Sequence, residues 1–186
     1  GIVTVHEFGE DQGLLYLAME RVKGEDLSQM IRSGALTRPQ VLEVMAQVCE
    51  ALDHAHKAGI IHRDIKPANV MVGRAGGRFQ VKLMDFGVAR LEGSNLTSDG
   101  TWMGTIGYMA PEYLETGKAD VRSDLFAVGV MLFEALSGGR KPFPGETPTM
   151  ILSRMMRQEP EVLSLQDLEG LPTEVGQLVA RVMAKD

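Results

Sequence analysis

The apolar residues of this chain open at strand period and then settle mostly into helical period, strands first and then mainly helices, the order of an α+β fold. Residues 2–8 and 14–20 are short β-type runs, and the polar, glycine-bounded stretch 9–13 between them predicts a hairpin. Gly24 breaks that pattern, and a short helix is expected over 25–32. Thr37-Arg38-Pro39-Gln40 then reads as a helix start. Gln40 can reach back to the Thr37 amide as in a capping box, and Pro39 is tolerated in a first turn. Val41, Leu42, Met45, Val48, Cys49, Leu52 and His56 follow at helical spacing until Gly59. Two short strands, 70–72 and 79–84, flank the glycines of 73–77. Helices are expected over 121–137, 147–158 and 173–184, the last two opening on Thr and Pro. Residues 88–109 are polar and aperiodic, which in a compact domain points to a functional loop.

Composition narrows the partners. A net charge of −6 and a pI of about 5.3 argue against a general nucleic-acid binder or a protein held on anionic lipid. The longest apolar run, 125–133, is far short of the ~20 residues that span a bilayer. No basic-then-apolar leader opens the chain, so a cytoplasmic location is expected for this stretch, with any membrane anchor lying outside it. The single cysteine, Cys49, excludes a disulfide framework and is expected as a buried thiol on the helical stripe. The chain lacks an initial Met and begins inside a strand-like run, which suggests a piece of a larger domain.

The chemistry concentrates in three places. The first is His62-Arg63-Asp64-Ile65-Lys66-Pro67-Ala68-Asn69; the second is Asp85-Phe86-Gly87, sixteen residues after Asn69; the third is Ala110-Pro111-Glu112. In this order and spacing they resemble the catalytic loop, metal-binding triplet and following helix start of protein kinases. The resemblance covers essentially the whole chain and is closest to the eukaryotic-type (Hanks-type) Ser/Thr kinases of bacteria. It implies a protein-kinase-like fold: residues 1–20 as a remnant of the small lobe, 21–23 as the hinge, and 24–186 as the helical lobe.

It also implies roles. Asp64 would accept the hydrogen bond of the substrate hydroxyl, and Lys66 would face the transferring phosphate, as in kinases that act on Ser and Thr. Asn69 and Asp85 offer hard oxygen ligands suited to Mg²⁺, with Mn²⁺ as a substitute, held largely by the phosphates of ATP. Thr105 resembles the threonine that bonds the catalytic Asp and Lys. Met19 would be the gatekeeper, the backbone of Glu20 and Val22 would read the adenine edge, Asp26 would lie near the ribose, and Met71 would floor the base. His62 is expected against Phe86 as a structural pair. Asp124 is expected to bind the amides of the His62–Asp64 loop and to cap its helix as well; Glu112 is expected without its usual Arg partner. Arg63 is typical of kinases ordered by phosphorylation, with Thr97, Ser98 and Thr101 as acceptors, including by autophosphorylation in trans. His54, His56 and His62 look like a zinc cluster on paper, but they lack a matched ligand geometry.

One part of the pattern is missing. No Gly-x-Gly-x-x-Gly occurs, and the strand Lys and helix Glu of the ATP clamp have no counterpart. The chain alone is therefore expected to be inactive or weakly active, with protein substrates belonging to the intact product. The competing expectation is a non-catalytic binding module of the same fold. Intact Asp64, Asn69 and Asp85 argue against it, and the segment running to Ala110-Pro111-Glu112 argues against a small-molecule kinase.

Overall fold

The computed structural model describes residues 1–86 and 105–185. Thr97, Ser98, Thr101, Gly87 and most of the expected functional loop lie outside the described residues.

Strands β1 (Val5–Asp11) and β2 (Leu14–Met19) pair antiparallel. The turn is Gln12-Gly13, with φ of 49° and 81°. Two successive left-handed residues make the turn whose twist matches the strands, so the loop expected over 9–13 shrinks to two residues. The strand also starts later than expected. Residues 1–3 are engaged elsewhere: Leu83 donates its N–H to Gly1 O at 2.7 Å, and Val3 donates to Leu83 O at 2.9 Å. A second antiparallel sheet has the order β3 (Glu25–Asp26), β4 (Val70–Ala75), β5 (Arg78–Leu83). Gly76 and Gly77, with φ of 59° and 80°, close the β4–β5 turn in the same way.

Helix α1 (Leu27–Ser33) begins two residues later than expected because Glu25 and Asp26 pair with Val72 and Met71. Helix α2 (Arg38–Lys57) starts where the capping box places it, with Gln40 Oε1 accepting from the Thr37 amide at 2.9 Å. Its buried face is Val41, Val44, Met45, Val48, Ala51, Leu52 and Ala55. Cys49 is exposed, contrary to expectation: one residue, about 100°, beyond Val48, it lies on the rim of that face. Gln47 on the same helix binds the β5 backbone, donating to Phe79 O at 3.2 Å and accepting from Val81 N at 3.1 Å.

Helix α3 (Pro111–Thr116) has no buried side chain, so it carried no apolar stripe to betray it. Helix α4 (Val121–Leu136) is the core of the domain and packs against α2 and against α6 (Glu174–Val182), while α5 (Pro148–Arg157) lies on the turn at 106–108. Phe133 and Met131 of α4 are fully buried, and burying side chains of this size stabilises the fold by about 1.5–3 kcal/mol each. The cap of α4 is Asp120, whose Oδ1 accepts from Arg122 N at 2.7 Å. Asp124 sits a turn further in and is not the cap. Among the described residues no helix is long and apolar enough to cross a membrane.

Candidate active site

The loop 62–69 is pinned by its apolar members. Ile65 and Pro67 point inward and are buried, while Arg63 and Ala68 point out. Lys66 is extended, as a residue before proline tends to be, and Pro67–Asn69 then makes a single 3₁₀ turn closed by Asn69 N donating to Lys66 O at 3.0 Å. The backbone thus turns three polar side chains toward one point. Lys66 Nζ donates to Asp64 Oδ2 at 2.8 Å and to Thr105 Oγ1 at 3.2 Å. Asn69 Nδ2 donates to Asp64 O at 2.8 Å and to Asp64 Oδ2 at 3.0 Å. Asp64 Oδ2 is fully engaged by these donors, and Oδ1 has no hydrogen-bond partner among the described residues. The Asn69 amide is likewise oriented: its nitrogen faces Asp64, leaving its oxygen available.

From beneath, Asp124 holds the loop by its backbone. It is 1% exposed, and its Oδ2 accepts from His62 N at 2.9 Å while Oδ1 accepts from Arg63 N at 2.9 Å. His56 Nε2 completes the carboxylate at 2.8 Å. This contact was not foreseen, since nothing in the spacing of His56 points to a residue on α4. The zinc-like trio is dispersed: among the described residues no group of three His, Cys, Asp or Glu could hold a metal ion.

His62 links the loop to the strand that leads to Asp85. Its ring Nε2 lies 2.9 Å from Met84 O, so Nε2 carries the proton, and Nδ1 accepts from Asp64 N at 3.3 Å. Burial pushes its pKa down, and the neutral tautomer fits both bonds. Met84 is held on its other side as well, its N–H donating to Asn69 O at 2.9 Å. The Phe86 ring packs on His62 with centroids 4.4 Å apart. Asp85, between them, is exposed and left-handed at φ 57°, and Arg63 is left-handed at φ 68°. A non-glycine residue rarely adopts this conformation, and such residues cluster at functional sites.

The residues expected to meet a nucleotide sit on β2, β3, β4 and the connection between β2 and β3. Met19 ends β2 and helps line an apolar cavity of about 290 Å³ with Val5, Leu17, Ala55 and Phe86. Glu20 N donates to Thr4 O at 2.9 Å, and its side chain pairs with Lys82 at 2.6 Å. Lys82 and the Thr4 amide hold the Glu20 carboxyl down at about 2. Val22 makes no backbone hydrogen bond among the described residues. Asp26 caps α1, accepting from Gln29 N at 2.9 Å. Met71, half-buried on β4, pairs with Asp26 and Lys82. Glu112, expected without its usual Arg partner, accepts from Ser123 Oγ at 3.3 Å.

This set of groups has relatives. The chain belongs to the protein kinase domain family, which it matches over residues 1–186. It is 39% identical over 193 residues to a probable serine/threonine-protein kinase of Streptomyces coelicolor, covering 100% of this chain and 28% of that protein. It is 39% identical over 189 residues to the serine/threonine-protein kinase PknJ of Mycobacterium tuberculosis, covering 100% of this chain and 32% of that one. To PknB of the same organism it is 36% identical over 193 residues, covering 100% and 30%. The chain thus spans about a third of the length of these curated relatives.

Proposed function

We propose that this chain is the catalytic part of a protein Ser/Thr kinase that moves the γ-phosphate of ATP to a hydroxyl of a protein substrate. The observation that carries the reading is the convergence of Lys66 and Asn69 on Asp64, with Thr105 bonded to Lys66 and one carboxylate oxygen left over. In this reading Asp64 Oδ1 accepts the hydrogen bond of the incoming Ser or Thr hydroxyl, orients it, and receives its proton as the phosphoryl group leaves ATP. Lys66 sits beside that path and balances negative charge on the moving phosphoryl oxygens, while Thr105 holds the ammonium in place.

The donor set fits a divalent metal of the Mg²⁺ type, with Mn²⁺ as a substitute. Asn69 offers a free amide oxygen and Asp85 an exposed carboxylate, both hard ligands, with phosphate and water to complete the shell. Such an ion would neutralise phosphate charge and orient the chain of phosphates. The backbone of Glu20 and Val22 would meet the adenine edge, and Met71 and Met19 would flank the base. Asp26, already a cap, would lie near the ribose.

We read residues 1–20 as small lobe, 21–23 as hinge and 24–186 as helical lobe. ATP as co-substrate supports a cytoplasmic site of action. Protein substrates, and autophosphorylation in trans at Thr97, Ser98 or Thr101 answered by Arg63, follow from the same reading. Because no Gly-x-Gly-x-x-Gly motif occurs in the sequence, the chain alone should turn over slowly, and the intact gene product at a normal rate. Transfer of radiolabelled phosphate from ATP to a mixed protein substrate tests this. Asp64→Asn in the intact product should lose at least about 100-fold in kcat. Equal transfer by wild type and Asp64→Asn would overturn the assignment.

A further inference from the structure

Lys82 belongs to none of the motifs, yet its ammonium ties three segments together. It sits on β5, three residues before Asp85. Its Nζ donates to Glu20 Oε1 at 2.6 Å and to Ile2 O at 3.1 Å. The same Glu20 oxygen accepts from Thr4 N at 2.8 Å. The adjacent Leu83 is bonded through both backbone groups to Gly1 and Val3. Residues 1–4 are therefore stitched to β5 on one side and to Glu20 on the other.

An ordinary surface ion pair contributes little, because water screens it and two long side chains must be ordered. This pair differs in two respects. The Lys82 and Glu20 side chains are only 20% and 29% exposed. A backbone amide and a backbone carbonyl complete it, so the charges anchor main chain rather than each other alone. Glu20 has its N–H and carboxylate committed to this lattice. The Glu20 carbonyl and both backbone groups of Val22 make no backbone bond among the described residues.

We propose that Lys82 is a positioning residue: through Glu20 it locks residues 20–22 onto the strand that delivers Asp85, and so sets the distance between the end of the site that reads adenine and the end that holds metal and phosphate. The inference rests on the kinase reading. It assigns Lys82 an effect on nucleotide affinity with little effect on the chemical step.

The test measures kcat and the KM for ATP with Mg²⁺ in the intact gene product. The variants are Lys82→Met, Glu20→Gln, the double variant, and Lys82→Arg. Lys82→Met and Glu20→Gln should each raise the KM roughly fivefold to twentyfold, with the kcat of Lys82→Met within about twofold, and the KM of the double variant should be no worse than that of either single one. Lys82→Arg should recover most of the affinity. Glu20→Gln keeps the shape of the side chain, so the test survives if Lys82→Met does not fold. An unchanged KM in Glu20→Gln, or losses that add in the double variant, would overturn the proposal alone. A wild type that transfers no phosphate would overturn the kinase reading, and the proposal with it.

Discussion

Replacing Asp124 by Asn keeps the volume of the side chain and removes one acceptor. The carboxylate accepts three hydrogen bonds while 1% exposed, so no water can take over. An Asn with its oxygen toward the Arg63 amide turns its NH₂ toward His62 N–H and the His56 ring. His56 can answer by changing tautomer and accepting. The His62 amide cannot, and a buried amide without a partner costs about 1–3 kcal/mol. The bond to Arg63 survives but loses its charge assistance, roughly 1 kcal/mol more. The expected destabilisation is about 2–4 kcal/mol. For a chain of this length that corresponds to a fall in Tm of roughly 5–15 °C. Urea unfolding followed by circular dichroism gives the free energy, and hydrogen exchange of the His62 and Arg63 amides locates it. A loss below about 0.5 kcal/mol, with both amides still protected, would refute the claim that Asp124 holds the loop.

Two further outcomes follow from the same geometry. The His62 pKa is lowered by burial, so the folded state resists protonation. Stability should be complete above about pH 6.5 and decline as pH falls toward the folded pKa, because the unfolded chain then binds more protons. Melting curves from about pH 7.5 to about 5.5 should show this decline in wild type and a shallower one in His62→Gln; parallel curves would contradict it. Gly73→Ala should destabilise by about 1–3 kcal/mol in urea titrations, because a Cβ there would run into Lys23 O and push Lys23 and Gly24 off β4; wild-type stability would show the approach is not tight.

What the sequence made legible was whatever depends on neighbours in the chain. The stripe on α2, the capping box at Thr37 and the apolar run of α4 report local periodicity, and those helices lie close to where the pattern puts them. The turns were misjudged because a two-residue turn is a matter of φ, and Gln12 gives little sign that it will be left-handed. α3 escaped because six residues whose apolar members, Tyr113 and Leu114, are only half-buried make no repeating stripe. Cys49 was assigned to the wrong side of a boundary that falls between adjacent residues. Asp120 and Asp124 both suit a helix start; the extended backbone of Asp120, at φ −130°, decides which one caps. The groups around Asp64 were legible as a motif, whereas His56 on Asp124 and Lys82 on Glu20 join residues 68 and 62 positions apart with no repeating pattern to mark them.

The reach of Asp124 has a consequence for how the protein is made. The amides of His62 and Arg63 emerge from the ribosome 62 and 61 residues ahead of the carboxylate that accepts from them. At about 5–20 residues per second, that interval is roughly 3–12 s. During it the segment bearing Asp64 has its sequence but lacks its template, and the left-handed turn at Arg63 has nothing to hold it. The loop 62–69 is therefore a late product of synthesis, assembled only when the central helix arrives.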